Sequence, residues 1–325
     1  MWKAHLLDNI CSGNKDHFDW IMNWMARIIQ DPGGNKPGTA IVLRGEQGVG
    51  KGIFATIFGK LLGPHYQHIM NQHQIVGRFN SILKDKILVY VDEAFFAGSR
   101  AEVNILKGLI TESEVVIEMK GIDAFTVRNH MNLIIASNSD WIVAAAKEER
   151  RFFVIDVAPT KRQDHEYFGA IIKQMAAGGL EALMFDLLCW KRNDQLIQTC
   201  PRTNALWDQI QFTLSTTAKF YFERLRDQSL DPGHDFWEGH IETKSLHEAY
   251  IQFAKDHGDR YPLADRMFGK ELRSLCPTLT RPRPVINGKQ RYVYHFPDLE
   301  VCRKDFEEAV KININWDEFG ENIPF

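Results

Sequence analysis

The run Gly45-Glu46-Gln47-Gly48-Val49-Gly50-Lys51 sets three glycines ahead of a lysine. Glycines let the backbone curl until successive N–H groups face inward, and a phosphate is the anion such a cradle suits. The spacing is that of a G-x-x-x-x-G-K phosphate loop. Its context also fits, because the apolar run Ala40-Ile41-Val42-Leu43 precedes it and a helix-forming stretch comes after it. On this reading the cradle extends through Gly52 and Ile53 and takes ATP, the helix N-terminus adds positive potential, and Lys51 bridges the β- and γ-phosphates. Gly52 is a departure, since a Ser or Thr commonly stands there and gives its hydroxyl to Mg²⁺. The metal would then rest on phosphate oxygens, water and a carboxylate from elsewhere, or the site is degenerate.

That carboxylate is at hand. Ile87-Leu88-Val89-Tyr90-Val91 reads as a buried strand, and it ends in Asp92-Glu93, at the edge of a sheet where α/β sites form. Asp92 would orient Mg²⁺, through water, and Glu93 would polarise an attacking water as general base. The alternative is an acidic cap of the next segment. A further apolar strand, Leu133-Ile134-Ile135-Ala136, ends in Ser137-Asn138, and the Asn138 amide would sense the γ-phosphate or hold the lytic water.

These residues need a framework, and the apolar periodicity supplies one. Strands are predicted at 39–44, 86–91, 132–137 and 151–157, with helices at 50–62 and 101–112, a pattern that argues for a mostly parallel sheet covered on both faces. Val115–Met119 and Ala124–Val127 flank Lys120-Gly121-Ile122-Asp123 as a β-hairpin. Trp20, Ile21, Trp24, Met25, Ile28 and Ile29 form a helical stripe over 14–30, and the breaker-rich segment Asp31–Gly38 separates it from the first strand. After Pro159 the chain reads as helical over about 164–190 and 204–226, and Asp231-Pro232-Gly233 marks a border. Beyond it come helices over 244–257 and 264–275 and two strands around Asn287-Gly288, the order of a winged helix. The expected units are a helical element over 1–37, an ATPase core over 38–160, a helical extension over 161–235 and a winged-helix-like basic unit over 236–325.

Composition narrows the classes. The 325 residues are 44% hydrophobic and 25% charged, which excludes disorder and leaves room for two or three cores. No uncharged apolar run is long enough for a membrane span, and Met1-Trp2-Lys3-Ala4-His5 does not open a secretory leader, so a soluble, unexported protein is expected. The five cysteines are scattered with no C-x-x-C pair and read as reduced thiols. His5, His17, His65, His68, His73, His130 and His165 show no ligand spacing, and the aromatics at Trp20/Trp24 and Phe220/Tyr221/Phe222 read as core or subunit contacts rather than base-stacking platforms. A net charge of −3 gives no global pull towards nucleic acid. Residues 260–304, however, hold ten Lys/Arg against four Asp/Glu.

With the phosphate loop, Asp92-Glu93 and Asn138 in this order, the chain resembles a superfamily 3 helicase, an AAA+ motor, in particular the helicase part of phage primase-helicase or primase-polymerase proteins and of the poxvirus primase-helicase. The likeness runs from about Trp20 to Val157, with further matches in Gly77-Arg78-Phe79-Asn80, Leu106-Lys107-Gly108-Leu109-Ile110-Thr111 and Pro201-Arg202-Thr203-Asn204-Ala205-Leu206. Gly52 departs from most of the superfamily, though a glycine there is similar to the phage subgroup. The resemblance implies an α/β fold with an AAA+ P-loop core and a ring, usually hexameric, that hydrolyses ATP at subunit interfaces and moves along single-stranded or fork DNA with 3′ to 5′ polarity.

By the same resemblance one of Arg150-Arg151 is an arginine finger, Lys120 is a pore lysine on DNA phosphates, and Lys107 is a lesser DNA contact. The competing readings are a solvated pair beside Glu148 and Glu149, and an ordinary turn lysine. Arg266, Lys270 and Arg273 lie on one helix face, and Lys289 and Arg291 lie on the terminal hairpin, where they suit DNA phosphates or a protein contact. The expected partners are DNA, copies of the chain, and a primase or primase-polymerase upstream in the same gene product or separate, all in the cytoplasm of a bacterial host. Two other functions stay open. One is an ATP-switched replication initiator or loader that unwinds little, for which Gly52 is the motive; the other is a P-loop ATPase that acts on proteins.

Overall fold

The computed structural model describes residues 1–71, 73–93, 100–145, 149–231, 236–286 and 288–316. Glu148, Pro232, Gly233 and Asn287, which the sequence reading invokes, lie outside them. The chain divides into two units, Met1–Ala145 with Glu149–Gln209, and Ile210 onward.

The first unit opens with α1 (Trp2–His5), which runs on as a π-helical turn over Leu6–Ile10, and α2 (Lys15–Gln30). Asn14 caps α2, its side chain accepting from the His17 N–H, as expected where a polar residue precedes an apolar stripe. Next come β1 (Ala40–Arg44), α3 (Lys51–Lys60), β2 (Tyr66–Ile69), α4 (His73–Val76) and β3 (Leu88–Val91). They are followed by α5 (Arg100–Thr111), β4 (Glu114–Met119), β5 (Ile122–Arg128), β6 (Asn132–Ser137) and β7 (Phe152–Asp156). The helices α6 (His165–Gln174), α7 (Leu180–Cys189) and α8 (Asn204–Thr213) complete the run, and the border between the units falls within α8.

Five strands form one parallel sheet in the order β2-β3-β6-β1-β7. Because side chains alternate along a strand, Ile41, Leu43, Leu88, Tyr90, Ile134, Ala136, Phe153 and Ile155 share one face. That face packs with Trp2, Trp20, Trp24, Phe54 and Phe58 into a continuous core. Leu183, Leu187, Ile197 and Cys200 belong to the same core. The segments 1–37 and 161–209 are therefore not separate elements as expected: a parallel sheet needs both faces covered, and α2 and α7 help to cover this one.

Other expectations are refined. The strand β2 was not expected; it pairs with β3 at the sheet edge. The predicted helix over 164–190 breaks where Gly178 takes φ 89°, and that over 204–226 breaks before Ser215, whose side chain caps the next helix. The hairpin β4–β5 pairs Met119 with Ile122, so its tip is the two residues Lys120-Gly121 rather than four.

The second unit contains α9 (Thr216–Arg226), β8 (His240–Glu242), α10 (Thr243–Asp256), α11 (Asp265–Leu275), β9 (Val285–Ile286), β10 (Lys289–Gln290), β11 (Val293–His295) and α12 (Leu299–Val310). β9 pairs antiparallel with β10, and β11 with β8. α9 was expected in the helical extension but packs here, with Phe220 against Tyr250, Phe253 and Phe268 at centroid distances of 5.6–6.1 Å. The expected border at 235–236 thus moves forward to Ile210. All five cysteines are free thiols, and among the described residues no helix is long and apolar enough to cross a membrane.

Trp24 is fully buried on α2, with its ring 6.2 Å from that of Phe58 on α3. Trp24→Ala should lower unfolding free energy by roughly 3–5 kcal/mol, the cost of a large aromatic-to-alanine truncation in a core. Chemical denaturation checks this, and a loss below about 1 kcal/mol would remove α2 from the core that supports the sheet.

Candidate active site

At the end of β1 the chain turns through Gly48 (φ 82°) and Gly50 (φ 99°) into α3. A side chain at Gly50 is excluded on two counts, the left-handed backbone and a Cβ that would lie 2.5 Å from His5 Cε1 and 2.7 Å from Phe168 Cε1. Gly50 caps α3 without a side-chain hydrogen bond, so the first N–H groups of the helix are left open to a ligand. Lys51 begins the helix and is 9% exposed. Its ammonium donates to the carbonyl of Glu46 at 2.8 Å and to that of Gly45. Burial lowers its pKa, and the charges of Asp92 and Glu93 pull it back up.

The sheet order brings the remaining groups together. β6 lies between β1 and β3, with Arg44 in register with Ser137 and Val91 with Ile135, so Asn138 emerges between the loop and the Asp92-Glu93 pair. The Asp92 N–H donates to the carbonyl of Ile69 at 2.9 Å, which continues the β2–β3 pairing one residue further. Glu93 takes φ 54°, an uncommon conformation for a non-glycine residue and one that clusters at functional sites. Its N–H donates to Asp92 Oδ1 at 3.1 Å. Gln47–Ile53, Asp92, Glu93 and Asn138 line one cavity of about 420 Å³, within the range of small-ligand sites. Gly45 and Glu46 do not line it; their carbonyls hold Lys51, and the Glu46 carboxylate pairs with Arg162.

Several groups at the site were not legible beforehand. Gln163, His165, Phe168 and Tyr90 also line the cavity. Asn9 donates to the Val49 carbonyl at 3.1 Å and accepts from Thr160 Oγ1 at 2.9 Å, while the Gln163 N–H donates to Gly48 O at 3.0 Å. His5 Nε2 lies 3.3 Å from the Gly50 carbonyl, so Nε2 carries the proton in that contact. His5 and Asn9 stand some forty residues before the loop, and no local spacing links them to it.

The arginine pair divides. Arg150 is exposed, whereas Arg151 Nη1 pairs at 3.1 Å with Glu149, a carboxylate only 2% exposed. Glu149 also accepts from the backbone N–H of Arg150 and Arg151 and from Lys107 Nζ at 3.1 Å. Burial pushes this carboxyl up, but Lys107 and Arg151 outweigh it and hold it below the usual range. Lys107 is thus engaged by Glu149, a pairing that the sequence reading did not single out. Lys120 stands exposed at its hairpin tip, and Asn80 braces β4 through Val116 O and the Glu118 N–H, both at 2.9 Å.

In the second unit Arg266, Lys270 and Arg273 are exposed on the face of α11 opposite buried Phe268, Leu272 and Leu275. Lys289 is exposed, and Arg291 is held by Glu242 at 2.6 Å. The guanidinium groups of Arg281 and Arg283 lie 4.5 and 4.9 Å from the centre of the half-exposed Tyr292 ring, a cation–aromatic cluster the sequence does not single out.

Residues 43–151 match the model of a protein family of unknown function, DUF5906. Over 155 residues the chain is 28% identical to the DNA primase-polymerase of Nitratiruptor phage NrS-1, a match that takes in 47% of this chain and 21% of the relative. The chain is therefore related to a phage primase-polymerase, and the match spans about a fifth of that protein's length. Two apo structures of the NrS-1 C-terminal region share the fold. One is 19% identical with a TM-score of 0.66, and the other, its A form, is 20% identical with a TM-score of 0.67. Each alignment covers 91% of this chain and 75% of the other.

His5 yields a test of how the loop is supported. Burial lowers its pKa below 6.5, against a smaller raising effect from Gly50 O, so the folded state holds it neutral while the unfolded chain protonates near 6.5. Its contribution is complete above that value and is lost as pH falls towards the folded pKa. His5→Gln should therefore flatten the decline of unfolding free energy between about pH 7 and 5. An unchanged slope would show that His5 is not held neutral beneath the loop.

Proposed function

We propose that this chain is an ATP-driven motor for DNA in phage replication, an AAA+ helicase of superfamily 3 type. The observation that carries the reading is the strand order β3-β6-β1, which gathers Lys51, Asp92, Glu93 and Asn138 around one nucleotide-sized cavity. The relation to a phage primase-polymerase supports the setting, in the cytoplasm of an infected bacterium with a primase-polymerase upstream or alongside.

In this reading the loop N–H groups and Lys51 take the phosphates, and Glu93 orients and deprotonates the attacking water with Asn138 beside it. The donors suit Mg²⁺ that arrives with its nucleotide, since two adjoining carboxylates and an amide meet at the cavity while no group of three or more His, Cys, Asp or Glu among the described residues forms a resident metal site. Asp92 would hold the ion through water, and when bound the ion neutralises developing phosphate charge. Arg150, exposed beside the anchored Arg151, is the finger offered to a neighbouring subunit in a hexameric ring. Lys120 at the hairpin tip meets DNA phosphates in the ring's channel. The second unit has the strand and helix order of a winged helix, and Arg266, Lys270, Arg273 and Lys289 form its phosphate-facing surface. Gly52 favours a second reading, an ATP-switched initiator or loader that hydrolyses slowly.

ATPase rate with and without single-stranded DNA tests the motor. DNA should stimulate turnover, Lys51→Ala should abolish it, and Glu93→Gln should retain ATP binding while losing roughly 10²–10⁴-fold in rate, the usual span for general-base removal. Turnover retained in Glu93→Gln would remove Glu93 as the base. ATP-dependent DNA binding with no strand displacement would favour the switch.

Lys120→Ala should leave basal ATPase unchanged and abolish its coupling to unwinding in a strand-displacement assay. Normal unwinding would return Lys120 to an ordinary turn residue.

A further inference from the structure

Tyr90 lies in the middle of β3 and is fully buried. Its ring stacks on that of His68 from β2 (centroids 4.8 Å apart, planes 25° apart), which fixes where the hydroxyl points. Residues two apart share a face of a strand, so Tyr90 and Asp92 lie on the same side of the sheet, and both line the phosphate cavity. A Cβ built on Gly52 would lie 3.6 Å from the Tyr90 hydroxyl. The phenol thus comes to the place where the side chain of residue 52 would begin, the residue whose hydroxyl is missing. The hydroxyl reaches towards the Asp92 carboxylate and interacts with it, but makes no hydrogen bond of good geometry among the described residues. A buried hydroxyl without a partner is unfavourable. The alternative, a core tyrosine whose hydroxyl is merely tolerated, leaves unexplained why that atom sits at the one position where the phosphate loop lacks oxygen.

We propose that the Tyr90 hydroxyl supplies the oxygen that Gly52 lacks, hydrogen-bonding a water of the Mg²⁺ shell that Asp92 also holds. The inference rests on the nucleotide-binding reading above. No covalent step is involved, and Tyr90 acts as a positioning residue. Gly52 and Tyr90 form a compensating pair, an oxygen carried on a sheet strand replacing one carried on the helix.

Equilibrium binding of ATP to the full chain, measured in Mg²⁺ and in EDTA, tests this without recourse to turnover. In the wild type Mg²⁺ should tighten ATP binding. Tyr90→Phe should reduce that gain roughly five- to tenfold, the worth of one net hydrogen bond to a water, while affinity in EDTA stays the same. Its Tm should change little, because the deleted hydroxyl makes no hydrogen bond of good geometry within the protein. Adding Gly52→Ser to Tyr90→Phe should restore the gain, and at 3.6 Å from the Tyr90 hydroxyl position a Cβ there is in ordinary contact. An unaltered gain in Tyr90→Phe, or a loss of affinity equal in Mg²⁺ and EDTA, overturns the proposal. Should Tyr90→Phe not fold, Gly52→Ser alone decides: a change below about twofold supports a wild type already supplied with this oxygen, and a gain near tenfold overturns it. A wild type that binds no ATP in either condition overturns the nucleotide reading and this proposal together, an outcome distinct from a failure at Tyr90 alone.

Discussion

The Lys51 ammonium, 9% exposed and donating to the carbonyls of Gly45 and Glu46, is the interaction on which the rest of the site depends. A buried cation is expensive unless it is hydrogen-bonded and its charge is answered. Two carbonyls accept from it only if the loop doubles back on itself, and that requires the left-handed backbone at Gly48 and Gly50. The charge is answered by Asp92 and Glu93, which must therefore end a strand near β1. Insertion of β6 between β1 and β3 meets that demand and delivers Asn138 to the gap. The same geometry leaves open N–H groups and a cation aimed at one cavity, which is what a chain of phosphates requires.

A loop so curled would not hold its shape alone, and it is braced from outside its own motif. Asn9, His5 and Gln163 each engage a different loop carbonyl, and Arg162 takes the Glu46 carboxylate. The first residues of the chain thus form part of the site's support. A comparable economy governs Glu149. One buried carboxylate holds Lys107 on α5 and Arg151, and through two backbone N–H groups it fixes the start of β7. Glu149 thus ties α5, which leads directly into the β4–β5 hairpin, to the backbone at Arg150 and Arg151.

What could be read in the sequence is what local chemistry dictates. The phosphate loop, the acidic strand end, the Lys120 hairpin and the basic face of α11 are each written within a dozen residues, where spacing alone implies geometry. What could not be read depends on separation. β2 has no apolar run of its own and exists because β3 offers it an edge. His5 and Asn9 reach the loop from far upstream, and Lys107 looks like a surface lysine until Glu149 arrives from some forty residues away. The border between units was misjudged for the same reason, since the helical period of α9 is evident but its partners Tyr250 and Phe268 lie beyond a turn-rich segment. The break at Ser215 is different: a serine ahead of a helix-forming run is a legible cap, outweighed by the continuity of the apolar stripe.

The central claim is that the 45–51 loop holds the phosphate chain of a nucleotide. Its most direct test is the affinity of the unmodified protein for ATP, ADP and AMP, measured side by side by calorimetry. Since loop N–H groups and Lys51 engage the β- and γ-phosphates, ATP and ADP should bind while AMP binds roughly a hundredfold more weakly, the worth of a few charge-assisted hydrogen bonds. Equal affinity for all three, or no binding of any, would contradict the account.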